Sequence, residues 1–141
     1  MQTNDDLNFV IITKDEKDLP IIYINERAIS FTRGVLNYLK YPANVLFMID
    51  AKKRVFAVRA CEPDDSRAFQ FSMPEGKQKR TVTNRNKNVL EPVLKCIGGA
   101  PENGLRYKVI GYWIAETKTL CFDLNKENVE KCSSWGNSEE E

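Results

Sequence analysis

One pattern runs twice through this chain, and a doubled pattern governs every other reading of the fold. A short strand, a helix and a two-stranded hairpin are predicted over Ile29–Cys61, and the same order returns over Thr81–Leu124. Adding 64 to the residue number lays one hairpin on the other without a gap. Ile49-Asp50-Ala51-Lys52-Lys53-Arg54-Val55-Phe56 then falls on Trp113-Ile114-Ala115-Glu116-Thr117-Lys118-Thr119-Leu120, with identity only at Ala51 and Ala115. What repeats is the pattern rather than the letters. Burying Val35, Leu36 and Leu39 of the first helix supplies roughly 1.5–3 kcal/mol apiece, less than ordering such a helix costs at about 1–2 kcal/mol per residue. Neither unit is expected to stand alone. The expected fold class is α+β and β-rich: a single compact domain in which two pseudo-symmetric β-α-β-β repeats close on each other into one small barrel.

In the first repeat Ile29 and Phe31 read as a short strand, Thr32 as a helix cap, and Val35, Leu36 and Leu39 as an apolar stripe. Pro42 stops the helix, because the residue before a proline is pushed out of the α region. The hairpin arms are Val45–Asp50 and Val55–Cys61. In the second repeat Asn88 and Glu91 have the spacing of a capping box, Val89, Leu90, Val93, Leu94 and Ile97 form the buried stripe, and Gly98-Gly99 ends the helix. Pro92 is tolerable only in a first turn, which places the start near Asn88. The second hairpin is expected as Arg106–Ile114 and Thr119–Leu124. Around the repeats, residues 1–28 carry two strands, Leu7–Ile12 and Pro20–Ile24, expected to pair as an extra N-terminal hairpin. Residues 62–80 connect the repeats, with an alternating piece at Phe69–Phe71. Residues 125–141 form a tail in which Val129 and Trp135 are expected to pack a short helix.

With 141 residues, 42% of them hydrophobic and 29% charged, the chain can bury a core without disulfides or metal. The opening Met1-Gln2-Thr3-Asn4-Asp5-Asp6 is acidic and polar, unlike a secretory leader, and the longest apolar runs, Phe9–Ile12 and Val45–Ile49, are too short to cross a bilayer. A cytoplasmic protein with no membrane partner is expected. Cys61, Cys96, Cys121 and Cys132 are widely scattered and the chain has no histidine, so no metal site and no cofactor are expected; Cys96 and Cys121 read as small hydrophobes. Without histidine, a G-x-S-x-G turn or a Gly-rich loop ahead of a helix, no enzyme is expected either.

The net charge is +1, but it is unevenly spread. Between Gly76 and Leu90 lie Lys77, Lys79, Arg80, Arg85 and Lys87 with no acid, and the chain closes on Glu139-Glu140-Glu141. A basic block of that kind points to an anionic partner.

The stretch Arg27-Ala28-Ile29-Ser30-Phe31-Thr32-Arg33-Gly34-Val35-Leu36-Asn37-Tyr38-Leu39, followed by its hairpin, resembles the G-R-x-x-I-P-K-x-x-R-x-x-L segment of the SpoVT/AbrB-like swapped-hairpin family, which includes transition-state regulators and MazE-type antitoxins. Thr32, Leu36 and Ala28 depart from that segment; Arg33 lands on a basic position, and Lys87 takes the same place in the second copy when 54 is added. The resemblance implies a swapped-hairpin-like barrel and a covalent pseudo-dimer, one chain supplying the halves that the family takes from two subunits. It also implies a basic DNA-binding face.

The expected function is accordingly a DNA-binding transcriptional regulator, with Arg27, Arg33, Lys79, Arg80, Arg85 and Lys87 on the phosphates of double-stranded DNA. The alternative is a non-enzymatic protein-interaction module, antitoxin-like or phage-associated, anchored on a protein partner by aromatics among Tyr38, Tyr41, Tyr107, Tyr112, Trp113 and Trp135. The expected assembly is a monomer or a weak homodimer.

Overall fold

The computed structural model describes residue 12 and residues 18–133. They form two five-stranded antiparallel sheets and two helices, a β-rich α+β fold. The first sheet has the order β10 (Val129–Ser133), β7 (Leu105–Ile110), β1 (Ile21–Ile24), β2 (Ile29–Phe31) and β6 (Val82–Asn84). The second runs β5 (Phe69–Gln70), β3 (Asn44–Asp50), β4 (Val55–Ala60), β9 (Thr119–Asp123) and β8 (Tyr112–Ile114). Helix α1 (Arg33–Leu39) follows β2, and α2 (Lys87–Ile97) follows β6.

Period-two alternation decides which faces meet. Ile22, Ile24, Ile29, Phe31, Tyr107 and Val109 of the first sheet share one core with Val45, Phe56, Val58, Leu120 and Phe122 of the second. Phe31 reaches across the gap, its ring 5.7 Å from Phe47 and 6.4 Å from Phe56. Val35 and Leu39 of α1 and Val89, Leu90 and Val93 of α2 join the same cluster, as their helical spacing requires.

Both hairpins have the register that the offset of 64 demands. Met48 lies opposite Ala57, and Tyr112 opposite Cys121. The turn residues Arg54 (φ 60°) and Lys118 (φ 52°), 64 apart, share the left-handed conformation that few side chains adopt. The helices begin at Arg33 and Lys87, 54 apart. Strands that these offsets align also pair with each other: β2 with β6, and β4 with β9, where Ala57 stands opposite Cys121.

Several expectations are corrected. The described strands leave β6, β10, β5 and β8 as sheet edges, so they do not close a barrel. The reason lies in the second hairpin. Its first arm, expected as one strand, breaks at Gly111: the part before it joins the first sheet against β1 and β10, and only Tyr112–Ile114 pairs in the second. A Cβ at Gly111 would come within 2.6 Å of the Phe122 ring and 3.0 Å of the Cys121 carbonyl oxygen, so the crossover needs glycine there. Ile21–Ile24 is a strand, but all four residues are buried, and a strand apolar on both faces belongs in the middle of a sheet; it lies between β2 and β7. Its expected partner Leu7–Ile12 lies, except for exposed Ile12, outside the described residues. Val129–Ser133 is a strand and not part of a helix, because it satisfies the outer backbone groups of β7; Trp135 lies outside the described residues.

The caps differ in detail. Asn86, not Asn88, caps α2, its side chain accepting from the Asn88 backbone N–H at 2.8 Å. Thr32 does precede α1, but its hydroxyl donates to the Ile21 carbonyl at 2.7 Å and so ties the helix start to β1. Helix α1 stops at Leu39, two residues before the residue that Pro42 constrains, with Lys40 and Tyr41 both at positive φ. Gly98 (φ 108°) ends α2 as expected.

Candidate functional site

The antiparallel β2–β6 ladder sorts the predicted cations into two groups. Phe31 pairs with Val82, so Arg33 just after β2 and Lys79-Arg80 just before β6 come to one end. Ile29 pairs with Asn84, so Arg27 ahead of β2 and Arg85 and Lys87 beyond β6 come to the other. All six are exposed. Six residues separate Arg27 from Arg33, a span of roughly 20 Å at strand rise. The ladder therefore does not merge them into one cluster; it makes two, and puts the helix starts Arg33 and Lys87 at opposite ends.

The groups differ in their surroundings. The Arg33 guanidinium donates to the Tyr41 hydroxyl at 3.4 Å. Arg27 lines a cleft of about 230 Å³ together with Glu26 and Glu102, so its charge is offset locally. Lys87 lines a larger groove, of about 580 Å³, between α2 and the β3–β4 turn, and shares it with Arg54, Lys95 and Glu91 around Ile49, Ala51, Pro92 and Cys96. Arg54 and Lys95 were not among the residues singled out from sequence. The signal that finds them is the pair of offsets: 64 maps Arg54 onto Lys118, and 54 maps Lys95 onto Tyr41.

The aromatic candidates scatter. Tyr38 (41% exposed) rests on Trp113 with ring centroids 5.8 Å apart, Tyr112 is 48% exposed, and Tyr107 is buried, its hydroxyl donating to the Gly99 carbonyl at 2.9 Å. Among the described residues no group of three or more Cys, Asp and Glu side chains is placed to hold a metal ion, and no helix is long and apolar enough to cross a membrane. Comparison with family models, with curated proteins and with solved structures finds no match to this chain.

Cys96 and Cys121 are buried and Cys61 and Cys132 half-exposed. Burial pushes the Cys121 thiol up, and burial followed by the nearby Asp65 and Glu62 carboxylates raises that of Cys61. Since the thiolate is the reactive form, native alkylation at about pH 8 should modify Cys132 first and Cys61 more slowly, and should leave Cys96 and Cys121 intact until denaturant is added. Mass spectrometry of the time course checks this; early modification of Cys121 would contradict the packing of β9.

Proposed function

We propose that this chain binds double-stranded DNA as a transcriptional regulator, through the two cation groups at the ends of the β2–β6 ladder. The observation that carries the reading is the pairing of β2 with β6, which sets exposed cations from two distant stretches of sequence side by side at each end. Point charges about 20 Å apart on one sheet edge suit a polyanion with regularly spaced phosphates better than a small ligand. In this reading the two β-α-β-β units are interlocked about a pseudo-dyad near Ala57 and Cys121, in the manner of a swapped-hairpin pair joined in one chain. Supporting it, α1 packs on β9 of the other unit and α2 on β3. Such a chain completes its own core as a monomer, and it acts where DNA is, in the cytoplasm.

Phosphate contacts release counterions, so log K should fall linearly with log salt, by roughly 0.9 per contact. Fluorescence anisotropy with a labelled duplex between about 50 and 200 mM salt tests this. The wild type is expected to give a slope of roughly −4 to −5 if most of the six cations engage. The double variant Arg33→Ala/Lys87→Ala should bind more weakly on every sequence and lose about 2 from the slope. No binding at the low-salt end removes the reading.

One observation favours a protein partner instead. The outer face of the second sheet carries Leu46, Met48, Ile114 and exposed Tyr112, with buried Ala57 and Cys121 between them, around Arg59, whose Nε has no hydrogen-bond partner among the described residues and whose NH2 donates to the Met48 sulfur at 3.3 Å. An apolar sheet face with an arginine at its centre has the composition of an interface core.

A further inference from the structure

The groove beside α2 lies at a place where the two units pack differently. In one unit Tyr38 of α1 covers Trp113 of the second hairpin. Adding 54 takes Tyr38 to Pro92, and subtracting 64 takes Trp113 to Ile49. Those two smaller side chains line the groove that lies at the corresponding place. Where one unit closes the space with an aromatic pair, the other leaves it open, at about 580 Å³. The rim changes in the same sense. Arg33 donates to the Tyr41 hydroxyl, whereas their equivalents Lys87 and Lys95 are both cations and cannot bond each other, with Glu91 as the one acid between them.

The third cation, Arg54, stands on a turn held both from within the hairpin and from the chain after β9. The Leu124 N–H donates to the Arg54 carbonyl at 2.7 Å, the Asn125 side-chain amide donates to the Lys53 carbonyl at 3.1 Å, and the Lys53 N–H donates to the Asp50 carboxylate at 3.0 Å. Lys52 and Lys53 extend the charge along the same exposed turn. A guanidinium fork on a braced turn, facing two ammonium groups on a helix, is suited to oxyanions, because the arginine gives bidentate geometry and the lysines add point charge.

We propose that the groove lined by Arg54, Lys87 and Lys95 is a phosphate-binding site whose ligand is a run of linked phosphates, either the backbone of DNA or a free polyphosphate. Taken with the DNA-binding reading, on which its first form rests, it makes the two ends of the ladder unequal: the α2 unit adds a groove for phosphates to its exposed cations, while its α1 counterpart, closed by Tyr38 and Trp113, offers exposed cations alone.

The test follows amide resonances of Ala51, Asn88 and Cys96 during titration of the whole chain at low salt, once with tripolyphosphate and once with a short DNA duplex. Both are expected to shift these amides. The variant Arg54→Asn/Lys95→Ser, which spares Lys87 and keeps a residue tolerant of positive φ at position 54, should weaken both about tenfold; the control Lys118→Asn, at the equivalent turn of the closed unit, should leave both unchanged. Rebuilding the aromatic pair with Ile49→Trp/Pro92→Tyr should abolish the tripolyphosphate shifts. Shifts with tripolyphosphate but no duplex binding uphold the groove and remove the DNA reading. Duplex binding that ignores the Arg54→Asn/Lys95→Ser change, or groove amides that respond to neither probe, overturns the groove.

Discussion

Phe56→Ala is expected to destabilise the protein by about 3–5 kcal/mol, the range for truncating a fully buried aromatic. Phe56 is 1% exposed and its ring lies 5.8 Å from Phe47, 6.1 Å from Phe122 and 6.4 Å from Phe31. Those contacts join β3, β9 and β2, hence both sheets and two distant stretches of the chain. The surrounding rings are held by strands in two layers, so the site collapses poorly and a cavity term adds to the lost transfer energy. For a chain of this size the melting temperature should fall by roughly 10–20 °C. Met48→Ala, half-buried on the outer face of the same sheet, is the matched control and should cost about 1 kcal/mol or less. Urea melts of the two variants at constant m-value check the comparison. Equal losses would mean that the ring cluster is not the centre of the fold.

What the sequence made legible follows from how local each cause is. The first hairpin could be read because alternation and a polar turn lie within one short stretch, and the offset of 64 survives even in the φ angles of Arg54 and Lys118. The end of α2 could be read because Gly98-Gly99 carries its own conformational signal. The split of the second hairpin could not. Gly111 is forced by the Phe122 ring on a neighbouring strand, and one glycine inside an apolar run does not announce that the run changes sheets. The strand Val129–Ser133 was equally hidden, since its cause is the open edge of β7. At the candidate site the six cations are exposed as sequence reading expects, but their division into two ends depends on the β2–β6 register, and the groove depends on a comparison of Tyr38 and Trp113 with Pro92 and Ile49. Arg54 takes on meaning as a groove residue only through that comparison.

Gly34→Ala offers a sign test of the way α1 is docked. Helix propensity alone predicts that replacing this first-turn glycine by alanine stabilises the chain, by up to about 1 kcal/mol. The structure predicts the opposite, because a Cβ on Gly34 would overlap the Leu19 carbonyl oxygen, with the Asp18 carbonyl carbon also only 3.2 Å away. The obstacle is backbone, so no rotamer change relieves it. Moving the Leu19–Pro20 segment aside would pull on the Thr32 hydroxyl bond to the Ile21 carbonyl and on the bond from the Gly111 N–H to the Pro20 carbonyl, at 2.7 Å each. Those two bonds fix the start of α1 against β1 and the point where β7 gives way to β8. Overpacking of this kind costs typically 1–3 kcal/mol, and with a backbone obstacle the net loss is expected near the top of that range, about 3 kcal/mol. Hydrogen exchange should also lose protection at the Thr32 and Gly111 amides before the β4–β9 ladder is affected, since local openings need not reach the core. A Gly34→Ala protein as stable as the parent or more so would mean that α1 does not sit against the chain entering β1, and Arg33, at the first position of that helix, would lose the placement that brings it to the same end of the ladder as Arg80.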